Sequence, residues 1–177
     1  MKMTRRVFAF ALTMTLLLSL SAAAFADGAR FDATKSFVKE LETIDGFTFT
    51  VGDVIEDSDT KYELLKVNYA GGEYSDYESN IVMYFSENGE EVTLYTFNLI
   101  AFSAADFQKV LETVNDINAQ GTGVKLYVDT SDNTVTAEMY QLATPETVTD
   151  LALTALGFMI GYTDRVFEET LRTYAAA

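Results

Sequence analysis

Residues 80–97 read NIVMYFSENGEEVTLYTF. Two β-forming runs, 80–85 and 91–97, flank Asn88-Gly89, the strongest short hairpin signal in the chain. The pattern predicts two adjacent antiparallel strands. Upstream, residues 47–55 alternate, with Phe47, Phe49 and Val51 set against Thr48 and Thr50, and read as a strand. A polar turn, Glu56-Asp57-Ser58-Asp59-Thr60, leads to a second strand over 62–69 with Leu64, Leu65 and Val67 as its apolar content. Ala70-Gly71-Gly72 breaks it, and the acidic stretch 73–79 reads as a loop. A helix is expected over 32–44, because Phe37, Val38, Leu41 and Ile44 recur at 3–4 spacing; Asp32 or Thr34 would cap it and Gly46 would end it. Downstream, Ser103 would cap a helix carrying Phe107, Val110, Leu111, Val114 and Ile117, closed by Gly121. A second hairpin follows, 124–129 with 134–142, around Ser131-Asp132-Asn133. Thr144-Pro145-Glu146 would open a last helix as cap, Pro at N1 and first-turn acid, running to about Tyr174. The order is α-ββ-ββ-α-ββ-α. It makes the fold class α+β, an antiparallel sheet with helices packed on one face.

Composition excludes much chemistry. The 177 residues hold 12 Lys+Arg, 27 Asp+Glu and one Pro, with no His, Cys or Trp, and 49% are hydrophobic. Without His or Cys there is no ordinary zinc site, haem ligation, iron–sulfur cluster, disulfide, Ser-His-Asp triad or Cys nucleophile. A net charge of −15 argues against nucleic acid, whose phosphates require Lys/Arg neutralisation. At the N-terminus, Lys2, Arg5 and Arg6 precede an apolar run over 7–20, and Ala24-Phe25-Ala26 has small-x-small character. This is the layout of a secretory signal peptide spanning 1–26, ahead of one domain over 27–177. Thr4-Arg5-Arg6-Val7-Phe8 also has the form of a twin-arginine export motif. Cleavage would take three of the 12 basic residues and leave nine against 27 acidic ones, a net −18. The expected location is therefore extracellular, in the cell envelope or in the periplasm, with no stable membrane insertion after cleavage.

The last helix carries an unusual amount of apolar surface. Val148, Leu151, Ala152, Ala155, Met159, Tyr162 and Val166 make one face; Leu153, Leu156, Ile160 and Phe167 make a second. A surface helix shows one stripe. This one is either a central helix covered by the sheet and its neighbours, or a docking surface for a protein partner or a second copy. On the docking reading, Leu153, Leu156, Ile160 and Phe167 form the partner-binding residues, joined by Tyr74 and Tyr77 from the 73–79 loop. Two acidic turns, 56–59 and Asp129 with Asp132-Asn133, lack the EF-hand pattern and read as solvated turns. No catalytic, cofactor-binding or metal-ligating residue is assigned. Two alternatives stand beside the interaction reading. One is a small-ligand carrier with a cleft between the sheet and the last helix; the other is a carboxylate-based hydrolase, for which no recognisable site context exists.

The second half carries a resemblance. Val114-Asn115-Asp116-Ile117-Asn118 near a helix end, Val124-Lys125-Leu126-Tyr127-Val128-Asp129, Val135-Thr136-Ala137-Glu138-Met139 and a Thr-Pro-led apolar helix resemble the YbjN-like family, mainly over 95–174. The family comprises bacterial sensory transduction regulators and is related in fold to type III secretion chaperones. Asn115 and Asn118 match its Asn-rich helix end, and Ile117 stands where an aromatic is often found. The resemblance implies a chaperone-like α+β domain that acts through protein–protein contacts rather than catalysis, with no catalytic residues to carry over. The expected product is an exported, non-enzymatic interaction module.

Overall fold

The computed structural model describes residues 28–57, 59–70 and 78–175. The expected signal segment, 1–26, and Tyr74 and Tyr77 lie outside the described residues. Among the described residues three helices, α1 (Asp32–Leu41), α2 (Phe107–Asn118) and α3 (Val148–Val166), accompany six strands. These are β1 (Phe47–Asp57), β2 (Thr60–Ala70), β3 (Glu78–Ser86), β4 (Glu91–Ala101), β5 (Val124–Asp129) and β6 (Thr134–Leu142). The sheet runs β1-β2-β3-β4-β6-β5 with every neighbouring pair antiparallel. The α+β class and the order α-ββ-ββ-α-ββ-α are as the sequence predicts.

Period-two alternation sends Leu65 and Val67, Ile81, Met83 and Phe85, Val92 and Leu94, Val124 and Leu126, and Val135 and Ala137 to one face, where all are buried. Helix α3 lies on that face against β3, β4 and β6, and α1 packs on α3. Helix α2 packs beside β5. Strand β4 runs four residues past its expected end. An irregularity between Thr96 and Ile100, with Asn98 at φ +53°, lets pairing with β6 resume and puts both Leu99 and Ile100 in the core.

Helix ends depart from the local rules. Neither Asp32 nor Thr34 caps α1; its N-cap position is Phe31, without a side-chain cap. Glu63, buried on β2, instead accepts hydrogen bonds from the backbone N–H groups of Arg30 (2.8 Å) and Phe31 (2.9 Å). Helix α1 stops at Leu41, before Ile44, and Gly46 at φ +92° turns the chain into β1. Ser103 does cap: its Oγ accepts from the Ala105 N–H at the head of a 3-10 turn that leads into α2. Thr144-Pro145-Glu146 forms a turn ahead of α3 rather than its first residues, with the Thr144 carbonyl accepting from Thr147 and Val148. After Val166 the chain continues as a π turn (Phe167–Leu171) and a 3-10 turn (Arg172–Tyr174).

Candidate functional site

The other face of the sheet carries no helix among the described residues. Strand alternation points Tyr62, Leu64 and Lys66 of β2, Val82 and Tyr84 of β3, and Glu91, Thr93, Tyr95 and Phe97 of β4 toward it. Thr136, Glu138 and Tyr140 of β6 and Lys125 and Tyr127 of β5 join them. None of these side chains is buried. Register aligns Leu64, Tyr84, Thr93 and Tyr140 in one cross-strand row, and Lys66, Val82, Tyr95, Glu138 and Lys125 in the next. Six aromatic rings thus share one open surface. Phe97, Tyr127 and Tyr140 keep 47%, 47% and 49% of their area exposed. That is too much for core residues.

Two carboxylates pin the rings. Glu91 accepts from the hydroxyl of Tyr62 through Oε1 and from that of Tyr140 through Oε2. Tyr62 reaches it across β3 at Ser86, a residue small enough to lean over. Glu138 accepts from the Tyr95 hydroxyl at 2.9 Å and from that of Tyr127. Tyr84 meets Tyr95 edge-on at 5.8 Å between ring centroids, and Phe97 stacks on Tyr95 at 5.1 Å. Burial, then donation to Glu138, pushes the Tyr95 phenol up to about 12. Donation to Glu91 pushes Tyr140 up to about 12 and raises Tyr62, and donation to Glu138 raises Tyr127. The hydroxyls are held as neutral donors. A phenol moved away from phenolate is poorer as a nucleophile or base near neutral pH. Between the β1–β2 end of the sheet and β6 the face hollows into a groove of about 480 Å³. Ile55, Asp57, Tyr62, Tyr84, Glu91, Thr93, Tyr95, Phe97 and Tyr140 line it.

The residues expected to meet a partner are placed otherwise. Leu156 and Ile160 are buried in the core, and Leu153 and Phe167 are half-buried and packed against it. The second apolar face of α3 is not a free surface, because α1 and the sheet take up the helix from two sides. The cleft expected between sheet and last helix is likewise filled, with Leu94, Val135, Ala137 and Met159 all buried there. On α3 it is Phe158 that stands exposed, stacked on Tyr162 at 6.0 Å.

The acidic turn after β5 uses its oxygens internally. Asp129 accepts from the N–H (2.8 Å) and hydroxyl (2.7 Å) of Ser131, which holds its carboxyl below the usual range, and Asp132 accepts from the Thr134 hydroxyl. Among the described residues no group of three acidic side chains is placed to hold a metal ion. No helix among them is long and apolar enough to cross a membrane. The aromatic face escaped the sequence reading although a signal exists. Tyr or Phe recurs at the polar-side positions of β2, β3, β4, β5 and β6, alternating with the aliphatic core positions.

Compared with family models, residues 54–172, about two-thirds of the chain, match YbjN, described as "Putative bacterial sensory transduction regulator". The match takes in both carboxylates and every aromatic residue of the open face. Comparison with curated protein sequences gives no match.

Proposed function

The chain belongs to the YbjN family, and from that premise we propose that it is an exported, non-enzymatic regulator module that docks a protein partner on the aromatic face of its sheet. The observation that carries this reading is the set of six aromatic side chains on one sheet face that no helix among the described residues covers, four of them held by Glu91 and Glu138. Tyr is favoured at recognition surfaces because it offers a large amphipathic contact with few rotatable bonds. Hydrogen bonds that already fix the rings reduce the ordering cost of binding. Covering a large exposed side chain completely is worth about 1.5–3 kcal/mol, so three half-exposed rings supply a useful fraction of a binding energy. A second copy of the chain is the weaker candidate partner, because a two-fold contact through this patch would set the carboxylates of the groove against themselves. Export rests on the layout of residues 1–26.

The test compares variants on the two surfaces. Cross-linked partners recovered from the envelope or medium should be retained by the native chain and by Phe158→Asp, and lost with the Phe97→Asp/Tyr127→Asp double variant. Equal recovery by all three would remove the face from consideration. Intact mass of the accumulated protein should place its first residue at Asp27.

A further inference from the structure

We propose that the groove on the aromatic face is a seat for a cationic side chain, an arginine or lysine carried on a peptide segment of the docked partner. The inference rests on the docking reading above and narrows its chemistry. The groove combines an aromatic wall with an acidic floor. Tyr62, Tyr84, Tyr95 and Tyr140 present ring surface, Glu91 lies among them, Asp57 sits at the rim, and no Lys or Arg among the described residues lines it. Ring faces attract a cation through their quadrupole, most strongly where water is excluded. A carboxylate has about four acceptor positions. The phenols of Tyr62 and Tyr140 engage one on each oxygen of Glu91. The remaining lone pairs are left for an ammonium or guanidinium donor.

The neighbouring carboxylate shows why the seat is at Glu91 and not at Glu138. Glu138 pairs across the sheet with Lys125, and Lys66 occupies the same cross-strand row. Lys125 thus stands one strand from Glu138 and Lys66 three strands away. The cross-strand partner of Glu91 is Leu142, and its row continues through Ser86, Tyr62 and Ile55 without a basic residue. A volume of about 480 Å³ exceeds a guanidinium head and accommodates the apolar stem with part of the next residue. A peptide also covers the half-exposed Phe97 and Tyr140, which a free amine would leave bare. The net charge of −15 steers a basic segment toward the molecule.

The experiment titrates the purified protein with acetyl-(Arg)3-amide, acetyl-(Lys)3-amide, acetyl-(Gln)3-amide and methylguanidinium at physiological salt, following tyrosine ring signals by NMR. The basic tripeptides should shift Tyr62, Tyr84 and Tyr140 saturably, and the Gln tripeptide should not. Glu91→Gln should weaken the basic peptides at least tenfold and Glu138→Gln less than twofold, with unchanged core methyl spectra as the control for folding. Should Glu91→Gln fail to fold, Asp57→Asn at the rim should weaken binding about threefold. Equal binding of the Gln peptide, indifference to both Glu91→Gln and Asp57→Asn, or methylguanidinium binding as tightly as the peptides would overturn the proposal. If partner recovery is lost with Phe97→Asp/Tyr127→Asp but untouched by Glu91→Gln, the docking face stands and the cation seat falls. If neither variant affects recovery, the docking reading itself fails.

Discussion

At the residue scale, what matters is which oxygen takes which proton. Four phenols donate to two glutamates, and those bonds favour the neutral phenol. Tyr95 and Tyr140, ordinarily titrating near 10, are pushed up to about 12 in the folded protein. A raised folded value means that the stabilisation is fully present below pH 10 and lost as pH rises through 12. Urea denaturation midpoints should accordingly hold steady between pH 7 and 9 and fall between pH 10 and 12. Tyr95→Phe should flatten that fall and remove one late-titrating phenol from the tyrosinate absorbance curve. Glu63 is the second residue of this kind. With its carboxylate gone, the N–H groups of Arg30 and Phe31 lose their acceptor where the chain enters α1. Hydrogen bonds to a charged group contribute about 1.5–3 kcal/mol each, less in partly wet sites. Glu63→Ala should cost about 2–4 kcal/mol in chemical denaturation and Glu63→Gln about half of that. The partners of Glu63 and Glu91, and Tyr95 as partner of Glu138, lie 29 to 49 residues away and could not be read from neighbours in the sequence.

At the element scale, the two hairpins were legible and their details were not. Asn88-Gly89 does sit in the β3–β4 connection, but only Gly89 takes a left-handed backbone, at φ +69°, and Asn88 does not. The loop spans 87–90, closed by the Gly89 N–H on the Ser86 carbonyl and by Ser86 Oγ accepting from Glu90 and Glu91. Gly89→Ala should cost about 1 kcal/mol, read from the urea midpoint, because a Cβ disfavours that backbone region. Asn118, part of the Asn-rich helix end, has a structural duty. Its Nδ2 donates to the Leu126 carbonyl (2.8 Å) and its Oδ1 accepts from the Leu126 N–H (2.9 Å), standing in for a missing strand at the edge of the sheet. Exposed strand edges invite pairing with other chains. Asn118→Ala should lower stability by about 2 kcal/mol and speed hydrogen exchange at the Leu126 amide. It should also increase self-association at high concentration.

At the scale of the whole molecule, α3 is a core element and the sheet is the exposed one. Leu156→Ala should cost about 2–5 kcal/mol, as large-to-small changes in packed cores do, and leave partner recovery per folded molecule unchanged. The opposite pattern, a stable variant that loses the partner, would return the docking surface to the helix. The order of helices and strands, the antiparallel hairpins, the acidic charge and the exclusion of His and Cys chemistry were all determined by the sequence alone. Periodicity, turn residues and composition are local properties, and they survive without any knowledge of what packs against what. Two apolar stripes on one helix, by contrast, are compatible with burial or with docking, and only the position of α1 on α3 decides for burial. The same holds for the tyrosines. Alternation says that they point away from the core-facing aliphatic positions, but not that five strands bring them onto one surface or that Glu91 and Glu138 hold them there. That outcome depends on strand order and register, which join residues distant along the chain, and so it exists only once the sheet is assembled.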